Sequence, residues 1–315
     1  MNVSEKAHAK INISLDVTGV RPDGYHEVKM IMQDLCLCDK VSLRKISESE
    51  TETATGSERV ILTMEGASPD VPADRKNIAV KAAYLMLETF GISEGVSIHL
   101  SKQIPSAAGL AGGSADAAAV IRGMNRLFNT GLSLREMMDM GVRLGADVPY
   151  CIMGGTALSE GIGERLTKLD TPEFLKGLPV LLVKPNEGVS TREVYTTLDE
   201  VCGWKEGMEE VRIKGLHPDV EAAVSSMKNE DFYGLCSLMG NILERVTVRK
   251  LPEIEEIKEK LISAGARAAM MSGSGPTVFA FFSTEEERNA AYKLIEMECH
   301  EKYTLIGTSV RNQGE

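Results

Sequence analysis

Residues 105–118, Pro-Ser-Ala-Ala-Gly-Leu-Ala-Gly-Gly-Ser-Ala-Asp-Ala-Ala, link a strand-like run to a helix through positions that carry almost no side chain. Gly109, Gly112 and Gly113 permit positive φ and a close approach of backbone to a ligand. The apolar residues that follow (Ala117, Ala118, Val120, Ile121, Met124, Leu127, Phe128) keep a helical spacing. Free N–H groups at the start of such a helix form an anion site, most often for phosphate. Neither familiar phosphate loop fits, because the stretch has no Gly-x4-Gly-Lys-[Ser/Thr] and no Gly-x-Gly-x-x-Gly. A tight packing joint, in which small residues simply avoid clashes, remains the alternative.

The chain has 315 residues, which gives an expectation of about two domains, each able to hold a core. With 43% apolar and 26% charged residues and no repeat period, it reads as an ordinary globular protein. A net charge of −11 argues against nucleic acid as the main partner, which would want a basic face. It leaves an anionic small substrate open, since a few lysines and oriented amides set a local field. Met1–Lys10 lacks the apolar segment of a signal peptide and no run has membrane-spanning length, so a cytoplasmic protein without membrane partners is expected. The six cysteines (Cys36, Cys38, Cys151, Cys202, Cys236, Cys299) show no metal-ligand spacing and read as reduced core thiols.

Alternation of Ile11, Ile13, Leu15 and Val17 with Lys10, Asn12 and Ser14 predicts a half-buried strand over Ala9–Val17. Strands are expected at Lys29–Cys38, Lys40–Lys45, Arg59–Met64 and Val96–Leu100, with a helix over Asn77–Phe90. Ser47–Ser57 reads as an exposed hairpin tip. A second helix after the glycine stretch opens with the capping box Ser133-Leu134-Arg135-Glu136 and ends near Gly145. Thr156–Leu158 and Arg165–Leu169 form a hairpin closing a first domain of residues 1–170. From Leu178 the order is strand Leu178–Lys184, helices Thr191–Val201, Asp219–Met227, Asp231–Arg245 and Pro252–Ala264, strands Ala266–Met271 and Thr277–Phe282, helix Glu285–Cys299 and strand Tyr303–Val310. Without the extra helices this is β-α-β-β-α-β, a split-βαβ ferredoxin-like domain over residues 171–315.

Two more stretches are dense in special residues. In Gly145-Ala146-Asp147-Val148-Pro149 an aspartate sits just past a helix end, where a turn that Asp caps is the plain alternative. Ser272-Gly273-Ser274-Gly275-Pro276-Thr277 is richer in glycine than a strand link requires, unless it is merely a flexible tip.

Taken in order, Ala9-Lys10-Ile11-Asn12, Arg21-Pro22-Asp23-Gly24-Tyr25-His26, the 105–118 stretch, Gly145–Pro149 and Met271–Phe279 resemble the GHMP small-molecule kinases, over about Ala7–Phe282. Within them the Arg-Pro-Asp-Gly-Tyr-His segment resembles the branch whose acceptor carries a cytidyl group, used in isoprenoid synthesis. The resemblance implies an α+β fold of two domains, a ribosomal-S5-like N-terminal half and a ferredoxin-like C-terminal half. It implies ATP as co-substrate, with Mg²⁺, on Pro105, Ser106, Ala107, Ala108, Gly109, Leu110, Ala111, Gly112, Gly113, Ser114 and Ala115, and Asn77 close to the adenine. Many members have two serines where this chain has Ser114-Ala115, which leaves Ser114 as the motif hydroxyl near phosphate or metal.

The resemblance also implies roles for single residues. Phosphoryl transfer asks mainly for an in-line hydroxyl, charge neutralisation and a base. Asp147 is the implied base. Lys10 is the implied cation on the γ-phosphoryl oxygens, and an ammonium nearby favours the charged carboxylate. Tyr25 and His26 are the implied cytosine readers, one by stacking and one at the base edge. Asn12 and Thr191 are implied as further substrate contacts. A relative acting on homoserine or mevalonate would have no use for Tyr25-His26, and a catalytically dead member would have lost Lys10 or Asp147.

Overall fold

A computed structural model describes residues 2–47, 52–53, 56–57, 59–205, 207–208, 217–299 and 301–312. Along the chain it places β1 (Asn2–Val20), β2 (His26–Ile46), β3 (Glu52–Thr53), β4 (Gly56–Ser57), β5 (Val60–Glu65), α1 (Ile78–Thr89), β6 (Gly95–Ser101), α2 (Gly112–Phe128), α3 (Leu134–Val142) and α4 (Val148–Met153). There follow β7 (Thr156–Gly161), β8 (Arg165–Lys168), β9 (Pro179–Pro185), α5 (Thr191–Cys202), α6 (Val220–Lys228), α7 (Phe232–Leu238), β10 (Gly240–Asn241) and α8 (Glu244–Lys250). The order closes with α9 (Glu253–Ser263), β11 (Ala268–Met271), β12 (Val278–Phe281), α10 (Glu285–Glu298) and β13 (Tyr303–Ser309).

Contacts group the chain into two compact units that are discontinuous in sequence. One holds Met1–Ala9, Leu37–Ser106 and Ala111–Gly154, the other Lys10–Cys36, Ala107–Leu110 and Gly155–Glu315. This grouping is not the linear division at residue 170, because the long strands β1 and β2 give residues to both units.

In the first unit, residues 40–46 of β2 pair antiparallel with β6, and β5 pairs parallel with β6 across the crossover helix α1. Ala79, Ala82, Ala83 and Met86 of α1 are buried, as are Ala117, Ala118, Ile121 and Met124 of α2. Small side chains let the two helices approach closely, each larger apolar residue adding about 1.5–3 kcal/mol of burial. The capping box at Ser133 forms as expected. The strands expected at Lys29–Cys38 and Lys40–Lys45 are one strand. Asp39 does not break it, because its buried carboxylate accepts the amides of Gln103 and Ile104. Of the expected tip at Ser47–Ser57, Glu52–Thr53 pairs with Gly56–Ser57, while residues 48–51, 54 and 55 lie outside the described residues.

In the second unit, β2 pairs with β7 over Val28–Gln33, and β7 with β8 in the expected hairpin. A separate antiparallel sheet runs β11-β12-β9-β13. With strands numbered as they occur along the split βαβ this is 4-1-3-2 read from β13, the ferredoxin-like order. The helix expected over Asp231–Arg245 is interrupted. Gly240 and Asn241 leave the helical path and pair with Ser14 and Leu15 of β1, which splits the segment into α7 and α8.

Two expectations need correction. β1 is not half-buried: its polar face, Lys10, Asn12, Ser14 and Asp16, is 0–5% exposed, as buried as its apolar face. The cysteines are free, but Cys36 is exposed and the other five are half-buried rather than core thiols. Among the described residues no helix is long and apolar enough to cross a membrane.

Candidate active site

A buried polar strand face costs free energy unless its groups find partners, so their pairing shows what the face is built around. Lys10 Nζ donates to Asn12 Oδ1 at 2.7 Å, and Asn12 Nδ2 reaches Met30 Sδ at 3.1 Å. The Lys10 amide donates to the carbonyl of Leu110 at 3.1 Å, which joins β1 to the glycine stretch. Gly273 closes over the same point. Its φ is +59°, and a Cβ there would lie 3.3 Å from Gly109 O, 3.4 Å from Lys10 Nζ and 3.5 Å from Asn12 Oδ1. The positive φ strains any L side chain there, and the tightest approach would be to the Gly109 backbone.

The Ser272–Thr277 link is not a flexible tip, since every residue of it is buried. Ser272 Oγ donates to Gly109 O at 3.0 Å, and Asn241 Nδ2 donates to Met271 O at 2.9 Å and Gly273 O at 2.7 Å. Thr247 Oγ1 donates to Ser274 O at 3.2 Å. Thr191, at the start of α5, shares a 2.8 Å hydrogen bond with the Ser274 hydroxyl. Of the sequence candidates in this unit, Lys10, Asn12, Gly109 and Leu110 therefore meet around the Ser272 link, and Thr191 bonds to it at Ser274.

Within 105–115 the backbone departs from the sequence reading. Gly109 is left-handed at φ +73°, but so are Ala107 at 47° and Ala111 at 57°, whereas Gly112 and Gly113 are the first residues of α2. A Cβ at 112 would sit 3.0 Å from Ile104 Cγ2, so that side chain would have to give way. Of the three glycines, Gly109 alone meets the demand for positive φ. Ala111 offers no side-chain cap, so the first N–H groups of α2, at Gly112, Gly113 and Ser114, lack an intrahelical partner. They carry the positive end of the helix dipole. Ala108, Leu110 and Ala115 are buried, Pro105 and Ser114 half-buried, and Ser106 Oγ donates to Asp70.

Asp147 precedes α4, half-buried, and its side chain makes no capping bond to that helix. Asn77, by contrast, is a cap: Oδ1 accepts from Ala79 N at 2.9 Å and Nδ2 donates to Pro72 O at 2.8 Å. Among the described residues no group of three or more His, Cys, Asp or Glu is placed to hold a metal ion.

The Arg21–Tyr25 turn closes through Arg21 N to Tyr25 O at 2.7 Å and an Arg21–Asp23 ion pair at 3.0 Å, with Gly24 at φ +80°. Tyr25 is 60% exposed. His26 is held: its Nε2 lies 2.8 Å from Asp199 Oδ1 and its ring 4.6 Å from that of Tyr195, both on α5. An Nε2–H given to Asp199 leaves Nδ1 as an acceptor.

Sequence reasoning missed Asp199, Tyr195 and Asn241. Asp199 and Tyr195 carry no local signal, being two acidic or aromatic positions of an amphipathic helix. Gly240-Asn241 inside an apolar run was the available signal for a broken helix.

The family of the GHMP kinases N terminal domain matches residues 77–155, and that of GHMP kinases C terminal matches 216–297. A protein of Acetivibrio thermocellus named 4-diphosphocytidyl-2-C-methyl-D-erythritol kinase is 47% identical over 307 residues, covering 96% of this chain and 99% of its own. One of the same name from Exiguobacterium sibiricum is 44% identical, covering 97% and 98%. A crystal structure of 4-(cytidine 5'-diphospho)-2C-methyl-D-erythritol kinase superposes with a TM-score of 0.76 at 28% identity, covering 98% of this chain and 99% of that one. The fold is that of a GHMP kinase, of α+β class. The chain belongs to the 4-diphosphocytidyl-2-C-methyl-D-erythritol kinase family of GHMP kinases, and it is a small-molecule kinase.

Proposed function

We propose that this kinase transfers the γ-phosphoryl group of ATP to the 2-hydroxyl of 4-diphosphocytidyl-2-C-methyl-D-erythritol, in the non-mevalonate route to isoprenoids. The observation that carries the choice of acceptor is the Tyr25–His26 turn: an exposed ring beside an imidazole whose Nε2 is occupied by Asp199. Nδ1 as acceptor suits the exocyclic amine of cytosine, a donor, and Tyr25 offers a face for stacking.

In this reading Asp147 takes the proton of the acceptor hydroxyl as the phosphoryl group arrives. Lys10, oriented by Asn12, offsets charge developing on the γ-phosphoryl oxygens. The first turn of α2 and the Gly109 backbone receive the phosphates, and Pro105–Ala115 with Asn77 forms the nucleotide side. Mg²⁺ bound with ATP would neutralise phosphate charge, and Ser114 is the residue that would hold it. Residues 1–170 and 171–315 then correspond to the two family domains, and an ATP-dependent enzyme of this kind works in the cytoplasm.

A coupled assay of ATP turnover with the cytidyl substrate against mevalonate, homoserine and galactose tests the reading. Turnover with the cytidyl compound alone supports it. Preference for any of the others removes the cytosine role of Tyr25 and His26.

A further inference from the structure

Strand β6 ends at Ser101, and the chain then enters the glycine stretch through Lys102, Gln103 and Ile104. Lys102 is half-buried as a residue, but its side chain is only 7% exposed, and its ammonium lies between two carboxylates, Asp39 at 0% and Asp116 at 5%. It donates to Asp116 Oδ2 at 2.5 Å and to Asp39 Oδ2. The other oxygen of Asp39 accepts the amides of Gln103 at 2.5 Å and Ile104 at 2.8 Å. Asp39 belongs to β2 and Asp116 to the second turn of α2. One ammonium therefore bonds to the strand below, to the helix leaving the loop, and by its own backbone to the chain entering it.

We propose that Lys102 is a positioning residue for the phosphate loop: clamped by Asp39 and Asp116, it fixes where the first turn of α2 points and so where its N–H groups meet phosphate. This rests on the reading that nucleotide phosphates bind that turn. Three observations carry it. The first is proximity, since a Cβ on Gly112, the first residue of α2, would lie 3.7 Å from Lys102 Nζ. The second is occupation. The ammonium is spent on two carboxylates, so it is not the phosphate-binding lysine that other phosphate loops carry. The third is cost. Asp116 Oδ1 is buried with no hydrogen-bond partner among the described residues, and burial lifts the Asp116 carboxyl to about 7 despite the opposing Lys102 charge. For Lys102 burial works the other way, but Asp116 and Asp39 outweigh it and raise its pKa. Buried ion clusters rarely repay their desolvation in stability, and fixing one geometry is their better-attested use.

The test compares wild type with Asp116→Ala, and with the milder Asp116→Asn, whose amide oxygen still accepts from Lys102. KM is measured separately for ATP and for the cytidyl substrate, and hydrogen exchange is followed at the amides of 111–115 with and without ADP. The expected result for Asp116→Ala is a KM for ATP raised by about tenfold, an unchanged KM for the cytidyl substrate, and faster exchange at 111–115 with α1 unaffected. Asp116→Asn should lie between the two, and it carries the test if the alanine variant does not fold. An unchanged KM for ATP in folded protein overturns the proposal, as do equal rises in both constants or unaltered exchange at 111–115. If wild type shows no turnover of the cytidyl substrate, the functional reading fails on its own. ADP protection of 111–115, present in wild type and weakened in the variant, then still decides the clamp.

Discussion

The Ser272 hydroxyl donates to the carbonyl of Gly109 at 3.0 Å, so the glycine-rich link between β11 and β12 is bonded to the glycine stretch 163 residues earlier in the chain. The approach is so close that a Cβ on Gly109 would fall 2.1 Å from the carbonyl oxygen of Ser272 and 3.2 Å from Gly275 N. Backbone would have to move, and at φ +73° an L side chain is strained as well. Gly109→Ala should therefore lower Tm and abolish measurable ATP affinity. Ser272→Ala removes one hydrogen bond, about 0.5–1.5 kcal/mol, and should leave a folded enzyme with a KM for ATP raised by a few fold. Calorimetry and initial rates on both variants check this. A Gly109→Ala enzyme with wild-type Tm and KM would show that the link and the stretch are not coupled.

Asp147 stands at the start of α4 and makes no side-chain capping bond to it. Asp147→Asn should keep the fold and both substrate affinities and lower kcat by roughly 10²–10⁴, the range of a positioned acid or base. Single-turnover rates on protein with an unaltered circular dichroism spectrum make the measurement. Near-normal turnover would assign proton removal elsewhere.

Gly112 separates packing from ligand approach. Its missing Cβ would touch the Ile104 side chain at 3.0 Å, a group that can be trimmed. Gly112→Val should abolish ATP binding, and adding Ile104→Ala decides the cause. Recovery of affinity in the double variant assigns Gly112 to packing, whereas persistent loss assigns it to the phosphate side.

Tyr25 and His26 should affect only the acceptor. Loss of one stacking contact, about 1–3 kcal/mol, raises KM for the cytidyl substrate about tenfold in Tyr25→Ala, while KM for ATP stays put. Asp199→Asn is the finer probe. It keeps the shape of the His26 partner at 2.8 Å but removes the charge that selects the Nε2–H tautomer, so it should raise the same KM by a smaller factor. Equal losses for both substrates would make the turn structural.

Much of this was legible in the residues. Alternation in β1, the Ser133 capping box and the split-βαβ order each rest on local periodicity or local hydrogen bonding, and each element is where those signals put it. What escaped is long-range. The burial of Lys10, Asn12, Ser14 and Asp16 depends on what covers that face, and alternation of apolar and polar residues only says that two faces differ. Asn241 broke a helix that propensity favoured because its side chain satisfies two carbonyls of the Met271–Gly273 segment, thirty residues on. Glycines at 109, 112 and 113 look alike in the sequence, yet only the first adopts positive φ, and two alanines adopt it instead. The order of motifs indicated the neighbourhood of the site, while its supports, Asp199 and Asn241, come from segments with no motif of their own.

β1 passes from one compact unit to the other at Ala9–Lys10 and β2 at Cys36–Leu37, in each case inside an unbroken strand. A strand melts as one ladder, so neither unit can lose its order without pulling on residues that belong to its neighbour. Heating should accordingly give a single endotherm whose calorimetric and van't Hoff enthalpies agree, although the chain groups into two units. Cutting the gene at residue 170 has an asymmetric result on the same grounds. The 171–315 piece retains the whole β11-β12-β9-β13 sheet, whereas the 1–170 piece loses β10, the partner of Ser14 and Leu15 in β1.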